Sequence, residues 1–343
     1  MNGSYNIRIR SKVINYDLVV KRKITIIRGD SATGKTRLTT ILREIESRRD
    51  SRYNLYCDVR CEVLAGRRWE QAIREDSGFI FFIDEEEPFL ETYEFAKTVK
   101  ESDNYFVIIT RFDLRMLPYS VNEIYELRYS GKYTRLDGLS LNTGTAMYYD
   151  AAESFYPTAL ITEDEKSGYT FFKDVCLKNS DLVFSGKGNS NVRLLLDRLE
   201  DEKILLNENI LICVDGASFG PYILDLYEYT EKSGKNNYYI LAYESFEHLL
   251  LSSEMFMQDA DLKEKILNPE LYITNKQFSW ENYYTDLLRS ATRGTLANYR
   301  KDRLNICYRE NCCVKKSECK YCSYGNKRDI ILGKYADKLI FDK

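Results

Sequence analysis

The expected fold is decided by the stretch Lys23-Ile24-Thr25-Ile26-Ile27-Arg28-Gly29-Asp30-Ser31-Ala32-Thr33-Gly34-Lys35-Thr36. Its first part is a short apolar run rich in β-branched residues, which is typical of a buried strand. Its second part has the spacing G-x-x-x-x-G-K-T. Apolar residues then recur at helical spacing, at Leu38, Ile41, Leu42 and Ile45. The order of strand, glycine-rich loop and helix predicts a phosphate-binding loop, the P-loop.

The chemistry of this loop suits a nucleoside triphosphate. Its backbone N–H groups can surround a phosphate at a helix N-terminus, where the helix dipole favours an anion. Lys35 would reach the β- and γ-phosphates, and the Thr36 hydroxyl would bind Mg²⁺. We therefore expect ATP and Mg²⁺ to be bound by Gly29, Asp30, Ser31, Ala32, Thr33, Gly34, Lys35 and Thr36. The alternative is a turn that binds no ligand.

Acidic residues follow the next apolar run, 78–83. Asp84 is expected to hold Mg²⁺ through water. Glu85 can orient or deprotonate an attacking water, which favours hydrolysis over transfer to a second substrate. Because Glu86 and Glu87 come next, the assignment is ambiguous by one position. The alternative is an acidic loop after a core strand.

A further buried strand, 105–110, ends in Thr110. Arg111 and Arg115 lie just beyond it, and either could stabilise transition-state charge, in cis or across a subunit interface. For each arginine alone, a surface ion pair with a nearby acid is an equally good interpretation.

In these residues, segment 5–135 resembles the additional-strand P-loop ATPases, the group that includes AAA-like and ABC-like enzymes. The resemblance implies that Thr110 touches the γ-phosphate. The sequence has no Leu-Ser-Gly-Gly signature of ABC dimers and no Asn-Lys-x-Asp motif for guanine. A regulatory protein whose ATP state controls assembly with a partner, and a small-molecule kinase, remain alternatives, although Glu85 disfavours the kinase.

A second series of strand and helix patterns begins near residue 158, with a period of roughly 30 residues typical of βα units. Glu163, Gly186, Asp215 and Glu244 each follow one of the expected strands, with Glu247 near the last. Because the carboxyl ends of parallel strands lie on one edge of a sheet, Glu163, Asp215 and Glu244 could converge on a divalent metal.

This order resembles the Toprim fold of topoisomerases, primases and overcoming-lysogenisation-defect (OLD) nucleases. That fold has an acid after strand one, a glycine after strand two and Asp-x-Asp after strand three. Here the last motif is reduced to Asp215-Gly216-Ala217, and Glu244 or Glu247 could complete the site. An active nuclease on DNA or RNA, a Toprim-like module that binds without cutting, and an unrelated α/β domain all remain open. An ATPase joined to such a domain resembles OLD-type phage-defence proteins.

The C-terminal segment is rich in cysteine. Cys319-x-x-Cys322, with Cys307 and either Cys312 or Cys313, predicts a zinc site in a segment too short to bury its own core. Buried reduced thiols and a redox switch are the alternatives.

Composition and patterning predict an α/β chain. We expect a parallel P-loop NTPase sheet with helices on both faces over 1–135, a linker over 136–157, a smaller α/β domain over 158–304, and a Cys-rich basic tail over 305–343. A net charge of -3 conceals an acidic middle and a basic C-terminal end. The single histidine, His248, argues against His-centred triads and multi-His metal sites.

Localisation is expected to be cytoplasmic. No signal peptide and no apolar run of about 20 residues is evident, so no membrane association is expected. The nine cysteines are then reduced thiols or metal ligands. A homo-oligomer or a complex with a partner protein is the expected assembly.

Overall fold

The computed structural model describes residues 2–28, 35–47, 52–138, 154–178, 180–274, 276–310 and 324–341, with the side chains of 35 and 36 left aside. The chain divides into two units. Unit 1 comprises Met1–Ser140 and Pro269–Phe278, and unit 2 comprises Leu141–Asn268 and Ser279–Lys343.

These units differ from the predicted boundaries. The segment Pro269–Phe278, which was assigned to the second domain, belongs to unit 1, where the Gly3 backbone N–H donates to the Glu270 carbonyl at 2.7 Å. Residues of the predicted tail belong to unit 2, because Phe155 exchanges backbone hydrogen bonds with Lys338 and Ile340. The end of the first domain, predicted at residue 135, falls inside the strand Tyr133–Gly138.

Unit 1 is built on a nine-stranded sheet with the order β4-β1-β2-β9-β8-β3-β7-β6-β5. The strands are β1 Tyr5–Arg10, β2 Asn15–Val20, β3 Ile24–Arg28, β4 Asn54–Tyr56, β5 Cys61–Val63, β6 Ile80–Ile83, β7 Tyr105–Ile109, β8 Ile124–Ser130 and β9 Tyr133–Gly138. The five strands from β8 to β5 are parallel, whereas β9 is antiparallel to β8, and β1 is antiparallel to β2 and β4.

Helices of unit 1 are α1 Lys35–Glu46, α2 Trp69–Glu75, α3 Tyr93–Glu101 and α9 Pro269–Tyr272. Strands β3, β6 and β7 are buried along their whole length, as their continuous apolar runs predict. A 3₁₀ turn, Pro88–Glu91, precedes α3, and Thr92 separates the two because it caps α3 by accepting the Phe95 N–H. The expectation of a mixed α/β fold with a largely parallel sheet is confirmed.

The two edge strands of this sheet are close in sequence. Only residues 57–60 separate β4 from β5, so five Cα steps of at most ~3.6 Å join the two edges. The sheet therefore curls around α1. Leu38, Ile41 and Leu42 of α1 belong to one buried cluster with side chains from both arms of the sheet, that is, from strands near each of its edges, such as β1 and β6.

Unit 2 is built on a four-stranded parallel sheet with the order β11-β10-β12-β13. The strands are β10 Ala159–Thr162, β11 Val183–Ser185, β12 Asn209–Asp215 and β13 Asn237–Tyr243. The helices are α4 Ser167–Phe171, continued by a π turn to Cys176, then α5 Val192–Asp201, α6 Gly220–Lys232, α7 Phe246–Leu251, α8 Ala260–Leu267, α10 Trp280–Thr292 and α11 Lys327–Leu332. Glu163, Gly186 and Glu244 directly follow β10, β11 and β13, and Asp215 is the last residue of β12.

The loop after β12 approaches the loop after β13 closely at Gly216. The Gly216 N–H donates to the Tyr243 carbonyl at 2.6 Å, and the Ala217 N–H donates to the Glu244 carbonyl at 2.9 Å. A Cβ on Gly216 would lie 2.8 Å from the Tyr243 carbonyl oxygen, which is backbone and cannot rotate away. Glycine is therefore required where β12 ends in Asp215.

Gly216→Ala is expected to lower the free energy of unfolding by about 1–3 kcal/mol, because the two loops must separate to admit the methyl group. Thermal denaturation of the full chain measures the change. Gly234→Ala is the matched control, since a Cβ there meets nothing within 4 Å. Equal stability of the two variants would contradict the close approach.

Candidate functional sites at two sheet edges

In unit 1, Asp84 lies directly after β6 and is buried. The hydroxyl group of Thr39, on α1, donates a hydrogen bond to Asp84 Oδ2 at 2.7 Å, and the Glu85 backbone N–H donates to Asp84 Oδ1 at 2.8 Å. Both carboxylate oxygens are thus held in place. Thr39 was not among the predicted site residues, although it lies three residues after Thr36 on one face of the helix.

Glu85 is held from the next strand of the sheet. Arg111 Nη2 lies 2.9 Å from Glu85 Oε1, while Glu85 Oε2 is buried and has no hydrogen-bond partner within the part of the chain that the structure describes. Glu86 is exposed, and Glu87 accepts the Gly66 N–H at 2.9 Å. Among the four consecutive acids, Asp84 and Glu85 are therefore the two that face the edge of the sheet next to β7.

Thr110 lies at the end of β7 and is fully buried. Its N–H donates to the Ile27 carbonyl at 3.1 Å, which places it beside the end of β3. Its hydroxyl oxygen accepts the Phe112 N–H at 2.9 Å and so shapes the following loop. Thr110, Arg111, Asp84 and Glu85 thus meet at the carboxyl edge of β6, β7 and β3.

The remaining predicted nucleotide ligands cannot be placed. Residues Gly29, Asp30, Ser31, Ala32, Thr33 and Gly34 lie outside the described residues, as do the side chains of Lys35 and Thr36. The described backbone nevertheless gives the expected order, since β3 ends at Arg28 and α1 begins at Lys35.

In unit 2, Glu163 and Asp215 meet at the carboxyl edge of the parallel sheet. The Asp215 N–H donates to Glu163 Oε2 at 3.0 Å. Both side chains line a narrow recess, with a cavity volume of about 10 Å³, together with Glu247. Glu244, which was predicted to join them, does not line this recess; its side chain is buried at the start of the loop that leads to α7.

Groups distant in sequence complete the recess. The Tyr299 hydroxyl donates to Glu247 Oε1 at 2.9 Å, and Lys301 pairs with Glu281. Glu247 is 1% exposed, and its Oε2 has no hydrogen-bond partner among the described residues. Sequence reasoning did not single out Tyr299, Lys301 or Glu281, because nothing in their local pattern indicates that they meet Glu163 and Asp215.

The buried acids of the recess hold their protons more strongly than usual. Burial raises the pKa of Glu163 to about 7, and the nearby Asp164 and Glu281 act in the same direction. Burial also raises the pKa of Asp215 well above its usual value, and the charge of Glu163 adds to this. At neutral pH these two carboxyl groups are therefore partly protonated, and a bound cation would displace the protons.

Within the described ranges, no group of three or more His, Cys, Asp or Glu side chains stands in an arrangement that could hold a metal ion. Glu163, Asp215 and Glu247 share the recess, so a cation there requires their side chains to turn towards one another. The buried, unpartnered Glu247 Oε2 fits such a role.

Of the predicted zinc ligands, only Cys307 is described. It is buried, and its thiol lies 3.7 Å from the Leu296 carbonyl oxygen. Cys312, Cys319 and Cys322, with the alternative ligand Cys313, lie outside the described residues, so the zinc site stays a prediction.

Comparison with protein-family models, with curated proteins and with solved structures finds no match to this chain. Among the helices that the structure describes, none combines the length and the apolar character needed to cross a bilayer. The functional assignment therefore depends on the residues and their geometry.

Unfolding at different pH values tests the electrostatics of the recess. A carboxyl group whose pKa is raised in the folded state keeps its proton where the unfolded chain has lost it, so stability falls as pH rises from about 4.5 through about 7. In a chelator-containing buffer, Glu163→Gln is expected to be more stable than wild type at pH 8, by up to about 3 kcal/mol, with a flatter pH profile. Glu228→Gln, on the exposed side of α6, is the control; identical profiles for wild type and Glu163→Gln would contradict the shift.

Proposed function

We propose that unit 1 binds ATP with Mg²⁺ and hydrolyses it. The observation that carries this proposal is the buried Thr39–Asp84 hydrogen bond, with Glu85 beside it, at the edge where β3 leads into the glycine-rich segment. A carboxylate held here, next to a helix that starts with Lys35 and Thr36, suits water-mediated contact with a phosphate-bound Mg²⁺.

The strand order supports the same proposal. β7 lies between β3, which precedes the P-loop, and β6, which ends in Asp84. An additional strand in this position is the feature for which the resembled group of P-loop ATPases is named. It brings Thr110 between the end of β3 and the acidic pair.

The side chains have distinct roles in this proposal. The loop N–H groups and Lys35 bind phosphate, Thr36 and Asp84 hold Mg²⁺, and bound Mg²⁺ neutralises charge on the phosphates. Glu85 orients the attacking water and accepts its proton. Arg111 is half exposed, so its pair with Glu85 contributes little to stability, and a phosphate group can compete for it.

Glu85→Gln is expected to retain ATP binding and to lower kcat by about 100-fold to 10,000-fold, the range for loss of a general base. Lys35→Ala is expected to lose ATP affinity. Phosphate release and equilibrium ATP binding, measured without any added acceptor, report the two effects. Glu86→Gln, one position along and exposed, is the matched control and is expected to hydrolyse normally.

The alternatives predict different results in the same assay. A kinase would release little phosphate without an acceptor, and a regulatory nucleotide-binding protein would bind ATP and leave it intact. Unchanged ATP affinity in Lys35→Ala would contradict nucleotide binding by this loop.

A second function is favoured by the recess of unit 2: divalent-cation-dependent cleavage of a phosphodiester bond in nucleic acid. Glu163, Asp215 and Glu247 supply carboxylate oxygens on one edge of a parallel sheet, which are the ligands that Mg²⁺ and Mn²⁺ prefer. Glu247 takes the place that the reduced motif Asp215-Gly216-Ala217 leaves open. Lys301 lines the same recess and can bind a phosphate oxygen.

Incubation of supercoiled DNA with the protein and Mg²⁺ or Mn²⁺ tests this second function. Wild type is expected to nick the DNA, and Asp215→Ala and Glu163→Ala are expected to reduce nicking to background. Glu228→Ala, away from the recess, is expected to cut as wild type does. Intact DNA in every wild-type reaction would remove the nuclease and leave unit 2 as a binding module. Cutting together with ATP hydrolysis would support a role in phage defence like that of the proteins it resembles.

A further inference from the structure

Arg28 is the last residue of β3 and precedes Gly29 directly in the chain. It is buried, with 9% of its surface exposed. A buried guanidinium is costly unless it is paired and hydrogen-bonded, so its partners determine what it does.

Those partners all lie in the loop after β7. Nη1 of Arg28 donates to the Arg111 carbonyl at 3.3 Å, and Nη2 donates to the Phe112 carbonyl at 3.1 Å. Nη2 also lies 2.6 Å from Asp113 Oδ1 and 3.4 Å from the Tyr119 hydroxyl. Tyr119 in turn donates to the Asp113 carbonyl at 2.9 Å, so one guanidinium holds the whole turn.

We propose that Arg28 is a positioning residue, which fixes the Arg111–Glu85 pair by holding the backbone of Arg111 and Phe112 against the end of β3. This inference rests on the proposed ATPase function. Arg28 binds the Arg111 carbonyl, and the guanidinium of Arg111 in turn reaches Glu85. A shift at the end of β3 would therefore move the Arg111–Glu85 pair.

The same strand provides a comparison. Arg22 lies just before β3, and its Nε is 3.0 Å from Glu123 Oε1 in a pair whose side chains are 9% and 0% exposed. Both arginines are therefore buried next to an acid at an end of one strand. Arg28 binds the backbone of Arg111 and Phe112 at the carboxyl end of β3, whereas the Arg22–Glu123 pair lies at the opposite end of the strand. The two substitutions therefore separate loss of stability from loss of positioning.

Arg28→Lys keeps the charge but loses the forked donor that bridges several acceptors. Its kcat for ATP is expected to fall about 10-fold to 100-fold, as for a small misplacement of a reacting group, while ATP affinity changes less than about 3-fold. Arg22→Lys is expected to lose comparable stability and to keep kcat within about 3-fold of wild type. Asp113→Asn weakens the same turn by removing the charge that pairs with Arg28, and it is expected to lower kcat by a smaller factor. This variant replaces Arg28→Lys in the test if Arg28→Lys does not fold.

A double-mutant cycle tests whether Arg28 acts through Arg111. In an Arg111→Ala background, Arg28→Lys is expected to reduce kcat by much less than it does alone. Additive losses, or a kcat for Arg28→Lys equal to that of Arg22→Lys, would overturn this inference while leaving the ATPase standing. Wild type that hydrolyses no ATP would instead overturn the proposed function, and the positioning role with it.

Discussion

The packing of α1 inside the curled sheet is the contact on which unit 1 depends. Leu38, Ile41 and Leu42 bury apolar surface against strands of both arms, and only four residues link the outermost strands β4 and β5. Because α1 follows β3 after a short connection, this packing sets where the N-terminus of the helix lies. It also brings Thr39 within hydrogen-bond distance of Asp84, so the position of the candidate catalytic edge is a consequence of core packing.

The two units use parallel strands in the same way but balance charge differently. In unit 1 each acid at the edge has a partner of its own, Thr39 for Asp84 and Arg111 for Glu85. In unit 2 the acids crowd one another, and the pKa values of Glu163 and Asp215 are raised by burial and by their neighbours. An edge whose acids are each held by a polar partner suits a ligand that brings its own cation, whereas an edge where acids crowd one another suits a cation bound by the protein.

Long apolar runs made the strands predictable, because a strand buried on both faces must be apolar throughout. β3, β6, β7, β10, β12 and β13 follow such runs, whereas β11 is only partly buried. Strands β5 and β9 were missed, since their sequences alternate and only pairing with a neighbour makes them strands. Asp84, Glu85, Glu163 and Asp215 were predictable because each follows an apolar run directly.

The residues that join these acids were not predictable for a physical reason. Thr39 meets Asp84 across 45 residues, and Tyr299 meets Glu247 across 52, so no local spacing records either contact. Arg28 is a further example. In sequence it is only the last residue of a strand, and its contacts in the fold are what link β3 to the loop after β7. A charged residue at the end of an otherwise apolar strand predicts a buried polar partner, although it does not say which. In the fold, the position of that partner identifies the loop that the strand end holds.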